Sequence, residues 1–276
     1  GNIIRYAPDT TFATDVQAMA VMAFGVEGLK EMGVDVEKLL AVTEEKAVVT
    51  VDYVKPDGTK VEVTGFDFTD EENAKNTRKL DIKEIMALNY NDKAFKDQLK
   101  SKLKELGVQE EDITVELLDE LARLVIEAQV SMKIGETQEV LDSKIEGIKT
   151  ILSNLAIRMV SPEWTSQMAI TYGIAGQKGK VGYLGQLDSI VYKGTLPYAT
   201  KENAPTGHGW NTPFGKISLA GIAYYYLAKY GENPFTLKVE GKDYNLKEIL
   251  DAQAQLTEKD YPALIKGLEL SNPQGD

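Results

Sequence analysis

Apolar positions in the middle of the chain recur with the spacing of a helix face. In residues 114–132, leucine and alanine recur at spacings of four, three and four, and residues 138–160 continue this rhythm over three heptad-like steps. Such stripes mark the buried side of amphipathic helices. The short connection KIGETQ favours an antiparallel helix hairpin over about 114–160. We expect its stripes to form internal core, because a dimerising coiled coil, the alternative, needs longer repeats.

Two other stretches change to the pattern of β-strands. Residues 46–68 contain AVVTVDYV and KVEVTGFDF around the turn sequence KPDG, and residues 235–245 read FTLKVEGKDYN. Strand-forming residues on both sides of glycine-containing turns predict two small β-hairpins. The acidic stretch DFTDEENAKNTRK, residues 67–79, is expected to be a charged loop.

Local signals predict helix starts and ends elsewhere. Residues 12–32 are small and apolar and are followed by Gly33, which predicts a helix that ends there. The stretch Ser161-Pro162-Glu163 has an N-cap residue, a proline and an acid in the order that begins a helix. Thr212-Pro213 predicts another start, for an apolar helix up to Gly231 that we expect to be central and buried.

These elements predict a predominantly α-helical α+β protein. It consists of a helical body with a helix hairpin at about 114–160 and β-hairpins at about 46–68 and 235–245. The length of 276 residues fits one compact domain, residues 1–276. The alternative is a division into 1–75, a helix plus a hairpin, and 76–276, the helical body.

Composition restricts the partners and the chemistry. The net charge is −12, so a nucleic acid, whose phosphates this surface would repel, is not an expected partner. No stretch is apolar and long enough for a transmembrane segment. The chain has no cysteine and one histidine, which excludes disulfides, thiolate zinc sites, cysteine nucleophiles and multi-histidine sites. Any metal would need mainly oxygen ligands, such as calcium or magnesium, and the acidic stretch at residues 67–72 lacks the spacing of a calcium loop. We expect neither a metal nor another cofactor.

Residues 173–215 differ from the rest of the chain. They hold 9 of the 23 glycines and few long apolar runs, and their stretch YLGQLDSIVY fits either a helix or a strand. A long irregular segment in a compact protein is usually functional, so we expect the binding residues in or next to it. The candidate ligand-binding residues are Tyr183, Tyr192, Tyr198, His208, Trp210 and Lys216.

The stretch TGHGWNTPFGK, residues 206–216, carries the candidate chemistry. His208 is a candidate general acid or base, since its unperturbed pKa lies near neutrality. Its candidate partners, chosen by place in the sequence, are Asp188, Glu202 and Glu163. Trp210 can stack on a sugar or another flat ligand, and Lys216 in the first turn of the predicted helix can help to hold an anion. The ordinary alternatives are a surface loop, a core plug and self-capping of the helix.

Three functions follow as hypotheses. The leading one is an extracytoplasmic protein that binds a small molecule, a glycan or a protein through residues 173–215. It is motivated by the local enrichment in glycine and aromatic residues and by the absence of a recognisable catalytic motif. The initial Gly1 indicates a trimmed or engineered N-terminus, and one explanation is removal of an export signal. The alternatives are a hydrolase of glycans or peptides, with His208 or a carboxylate pair in a cleft lined by Trp210, and a structural assembly protein that uses the helix stripes.

Overall fold

The computed structural model describes residues 11–177, 182–239 and 242–254. These residues contain eleven α-helices and two antiparallel β-hairpins. This composition confirms the expected predominantly helical α+β class. The strands are β1 (Val48–Val54), β2 (Lys60–Phe66), β3 (Leu237–Val239) and β4 (Lys242–Tyr244). The helices are α1 (Thr14–Glu31), α2 (Val36–Ala47), α3 (Glu71–Thr77), α4 (Ile82–Met86), α5 (Phe95–Glu105), α6 (Val115–Ile134), α7 (Gln138–Ser153), α8 (Pro162–Ile174), α9 (Tyr183–Ile190), α10 (Leu219–Tyr230) and α11 (Leu246–Ala254).

The predicted helix hairpin is formed by α6 and α7. These helices pack on each other, and the second of them ends at Ser153, before the predicted end at residue 160. The stripe residues Leu121, Ala128, Ile148 and Leu152 are buried in a cluster that α5 also joins. The apolar surface of these four residues is therefore buried in internal core, as expected, and does not form an exposed seam for a partner helix.

Both predicted β-hairpins are confirmed. In the first, Val48 lies opposite Phe66 and Val54 lies opposite Lys60, so the turn contains the KPDG stretch. One face of this hairpin is buried and packs against α8 and α9, which supplies the apolar cover that an isolated two-stranded sheet needs. The second hairpin pairs β3 with β4, and residues 240 and 241 of its turn lie outside the described residues.

Helix α8 is the most central helix and begins as the sequence predicts. The Ser161 hydroxyl accepts a hydrogen bond from the backbone N–H of Trp164, and Pro162 occupies the first turn. The helix packs against α1, α10 and β2 and is buried along most of its length. Because α1 and β2 precede residue 76, these contacts cross the alternative domain boundary; the single-domain organisation itself stays a prediction.

Helix α10 begins later than predicted and lies nearer the surface. The expected start at Thr212-Pro213 is wrong, because the chain there pairs with an earlier strand-like segment: the Tyr198 N–H donates to the carbonyl of Lys216. Ser218 caps the helix instead, through a bond from the Gly221 N–H. The expectation of a buried helix is also wrong. One side packs against α8 while the other faces solvent, with Leu219, Tyr226 and Tyr230 among its exposed residues.

The predicted charged loop at residues 67–79 contains a helix and a buried acid. Asp70 caps α3 through a hydrogen bond from the Asn73 N–H, which explains why the acidic stretch turns helical. Asp67, three residues earlier, is completely buried. Within the described residues no helix combines the length and apolar character needed to cross a membrane.

Candidate functional site

A buried ion cluster lies at the base of the candidate site. The Asp67 carboxylate accepts two hydrogen bonds from Arg78, at 2.6 and 2.7 Å, and one from Nε of Arg158 at 2.9 Å. Burial alone would raise the pKa of Asp67, but the two guanidinium groups outweigh it and hold this pKa below its usual range. The cluster is therefore charged and paired in the folded protein.

Arg78 also fixes the loop that carries His208. Nε of Arg78 donates to the carbonyl of Pro205 at 2.7 Å, and Nη2 donates to that of Thr206 at 3.0 Å. The Thr206 N–H and hydroxyl both donate to the carbonyl of Trp210, at 2.9 Å each, and close residues 204–211 into a compact loop. We call these residues the His208 loop. Its backbone is tied to the core, so its side chains are held in defined positions.

The ring of His208 lies between two indoles. Its Nε2 is 3.0 Å from the carbonyl of Phe68, and a carbonyl only accepts, so this nitrogen carries a proton and Nδ1 is left for other partners. The ring centroid is 5.6 Å from that of Trp164 and 5.6 Å from that of Trp210. The histidine is thus a partly buried, oriented member of an aromatic group.

Trp210 is the exposed end of this group. Its indole N–H donates to the Tyr198 hydroxyl at 3.3 Å, and the ring of Tyr198 stacks on that of Phe68. The residue is 43% exposed. We call Phe68, Trp164, Tyr198, His208 and Trp210 the aromatic cluster. It presents one indole to solvent from a layer of rings beneath it.

The structure brings together three of the predicted binding residues, Tyr198, His208 and Trp210. Lys216 is exposed and meets the aromatic cluster through its backbone carbonyl, which accepts from the Tyr198 N–H. Tyr183 donates to Glu44 at 2.6 Å and packs against Phe66 and Tyr172 in the main core, and Tyr192 pairs with Thr195 in an isolated bridge.

Two of the three predicted acid partners of His208, Asp188 and Glu202, are engaged elsewhere. Asp188 on α9 binds the Tyr225 hydroxyl and Lys229 on α10. Glu202 accepts a hydrogen bond from the backbone N–H of Gly215 at 2.9 Å, which ties two turns of the irregular segment together. Neither side chain is hydrogen-bonded to the histidine, so the hydrogen-bonded acid and histidine that a triad requires are not formed by these residues.

The carboxylate that interacts electrostatically with His208 is that of Asp15, in the first turn of α1. Burial raises the pKa of Asp15, while the Val16 N–H and the histidine act in the opposite direction. Glu163, in the first turn of α8, also has a pKa raised by burial, and Asp15 raises it further. Sequence reasoning missed Asp15, because an acid in a first helix turn is an ordinary sequence feature.

The buried ion cluster was also missed, although one signal for it exists. Arg158 stands in the stretch LAIRMV, and an arginine among apolar residues has to find a buried partner. In the described parts of the chain, no three or more histidine, aspartate or glutamate side chains meet closely enough to hold a metal ion.

Comparisons with known proteins do not indicate a function for this chain, so the argument about function depends on its side chains. No protein-family model, no curated protein and no solved structure matches the chain.

Proposed function

We propose that this protein is a binding protein that holds its ligand against Trp210 and the aromatic cluster. The observation that carries the proposal is an indole that is 43% exposed and yet fixed, by Tyr198 and by the rings below it. A large apolar side chain held rigidly at the surface is suited to contact a ligand without the cost of ordering it. The anchored His208 loop supports this, because a preformed site is typical of ligand pockets.

The chemistry of the surface favours a ligand with a flat, partly apolar face. Phe214 and Ile217 are also exposed and follow Trp210 closely in the chain. Aromatic rings offer such a ligand a large contact area, and the Tyr198 hydroxyl and Nδ1 of His208 add polar partners. A sugar ring of a glycan fits this combination, and we take it as the first ligand class to test.

Replacement of Trp210 by alanine is expected to weaken glycan binding at least about tenfold, which corresponds to about 1.4 kcal/mol. Trp210→Phe keeps an aromatic face for stacking and should lose less glycan affinity than Trp210→Ala. The measurement is affinity electrophoresis against a panel of soluble polysaccharides, followed by calorimetry on those that retard the protein. Tyr230→Ala is the control, because Tyr230 is also exposed but lies at the far end of α10. Equal affinities of Trp210→Ala and Tyr230→Ala, or no polysaccharide bound by the unmodified protein, would contradict the proposal.

An extracytoplasmic location is part of the same proposal. A chain without cysteine is compatible with an oxidising compartment, and extracellular glycans would be accessible there. Immunodetection in cell fractions of the source organism tests the location, and a purely cytoplasmic signal would contradict it.

A hydrolase is the second candidate function, and the pair of Asp15 and Glu163 near His208 favours it. Burial raises the pKa of both carboxyl groups, and a carboxyl group with a raised pKa holds its proton more firmly, as a general acid must. The test is turnover of a panel of chromogenic glycosides and peptides by the purified protein. Turnover that survives in both His208→Ala and Glu163→Gln would exclude this mechanism.

A further inference from the structure

The first turns of three helices meet beside the aromatic cluster. Asp15 lies in the first turn of α1 and Glu163 in the first turn of α8, while Ser218 caps α10. The Ser218 hydroxyl is 3.4 Å from Oε2 of Glu163, and Asp15 and Glu163 are close enough for their charges to interact. Two half-buried carboxyl groups therefore share one small region.

Neither carboxyl group forms an ion pair with a lysine or an arginine among the described residues. Asp15 accepts a hydrogen bond from its neighbour Val16, and Glu163 has the long contact with Ser218, but no lysine or arginine ion pair is formed with either group in this part of the chain. Partial burial of a carboxylate without a countercharge is costly. The raised pKa of both groups reflects this cost, since burial penalises their charged form.

A buried amide beside this pair is also incomplete. Gln167 lies one turn after Glu163 on α8 and is 0% exposed, and in the described structure neither its amide nitrogen nor its amide oxygen completes a hydrogen bond. The amide lies near enough to the Tyr224 hydroxyl to lower its pKa, against the larger upward effect of burial, and Glu163 and Asp15 raise the same pKa. The amide nitrogen thus faces the Tyr224 hydroxyl in the region of the two carboxyl groups, and the buried amide oxygen, which has no partner, calls for an explanation.

We propose that Asp15, Glu163 and Gln167 bind the ammonium group of a small organic amine. An ammonium group has three N–H donors and no acceptor, and it would meet two carboxylates that no lysine or arginine pairs with and an amide oxygen without a partner. The cation supplies the countercharge that the carboxylates lack. An anion would be repelled by the same pair, and within the described residues the region lacks the third acidic or histidine ligand of a metal cluster.

The aromatic surroundings suit such a ligand. Burial raises the pKa of Tyr224, and the charges of Glu163 and Asp15 raise it further, so its phenol belongs to the same region. An aromatic ring attracts a cation that approaches its face. His208 interacts with Asp15 as well, so a bound amine and the histidine would compete for the same carboxylate. The site does not include Trp210, so this inference does not rest on the proposed glycan binding and can fail or succeed by itself.

The first experiment is calorimetric titration at neutral pH with butylammonium chloride, with 1-butanol and potassium chloride as probes that lack the ammonium group or the carbon chain. We expect binding of the amine alone. Asp15→Asn and Glu163→Gln should each weaken it at least about tenfold. Asp188→Asn is the control, because Asp188 already has Lys229 as its partner, and it should leave the affinity unchanged. No amine binding by the unmodified protein, equal binding of 1-butanol, or full affinity in Glu163→Gln would overturn the proposal.

The second experiment measures thermal unfolding without ligand and keeps the inference testable if binding is weak. Removal of an unpaired, half-buried charge stabilises the fold, so Glu163→Gln should raise Tm by about 2 °C or more. If Glu163 only complements the start of α8, its replacement should lower Tm instead. A lowered Tm in Glu163→Gln, with a native circular dichroism spectrum at low temperature, would therefore refute the binding role.

Discussion

Asp67→Asn is expected to lower the free energy of unfolding by about 3–5 kcal/mol, because it leaves Arg78 and Arg158 buried without an anion. The side-chain shape is nearly conserved, so the loss comes from charge and hydrogen bonding. Denaturation by guanidinium chloride, followed by circular dichroism, measures it. Asp119→Asn is the matched control, since the Asp119 ion pair with Lys96 is exposed, and this change should cost at most about 1 kcal/mol.

The stabilising contribution of Asp67 should depend on pH in a defined direction. The pKa of Asp67 is lower in the folded protein than in the unfolded chain, so its contribution is complete above the unfolded pKa, about 3.9. It is lost as the pH falls below that value, through the pKa of the folded state. The stability difference between the unmodified protein and Asp67→Asn should therefore shrink in acid. A constant difference from neutral pH down to strong acid would show that the carboxylate is not the stabilising form.

The same substitution tests how the candidate site is held. Arg78 bonds both the Asp67 carboxylate and the carbonyls of Pro205 and Thr206. If the ion cluster positions the His208 loop, Asp67→Asn should also change the fluorescence of the exposed Trp210 under conditions where the protein is still folded. An unchanged spectrum and unchanged glycan binding would show that the loop holds its position without the cluster.

Gly107→Ala is expected to be the second most damaging change, at about 3 kcal/mol. Gly107 has a φ of +97°, and a Cβ atom built there would lie 2.7 Å from the backbone oxygen of Arg158. The cost combines about 1–2 kcal/mol of backbone strain with the overlap against a carbonyl that cannot rotate away. The Arg158 N–H also donates to the Gly107 carbonyl at 2.8 Å, so any shift disturbs the ion cluster.

Gly135→Ala separates the cost of backbone strain from the cost of the overlap with a neighbouring atom. Gly135 also has a positive φ, +72°, at the end of α6, but nothing lies within 4 Å of a built Cβ atom. Backbone strain alone should cost about 1 kcal/mol there. Equal losses from Gly107→Ala and Gly135→Ala in the same denaturation experiment would mean that the close approach to Arg158 carries no energy.

The local elements could be predicted because each depends on residues near in sequence. The Ser161 cap acts on Trp164, three residues away, and the KPDG turn joins strands that begin and end beside it. The stripes of α6 and α7 are buried against each other because a short connection brings them together. In these cases the periodicity and the capping residues are sufficient to predict the element.

The start of α10 shows where such local information was insufficient. Thr212-Pro213 is a sound helix signal, but the carbonyl of Lys216 is bound by the N–H of Tyr198, which is far along the chain. This pairing, together with a turn at Phe214 and Gly215, keeps the chain out of a helix until Ser218. The prediction failed because a tertiary hydrogen bond competes with a weak local preference.

By itself, the amino-acid sequence determined the helical class, the helix hairpin, the two β-hairpins and the loop in which His208 and Trp210 lie. Only the tertiary structure decided that Asp67 joins Arg78 and Arg158, and that Asp15 meets Glu163 and Gln167. The physical reason is that a helix face or a cap is set by spacing along the chain. The surroundings of a charge are instead set by residues 11 to about 150 positions away, and its burial becomes visible only when those residues are packed around it.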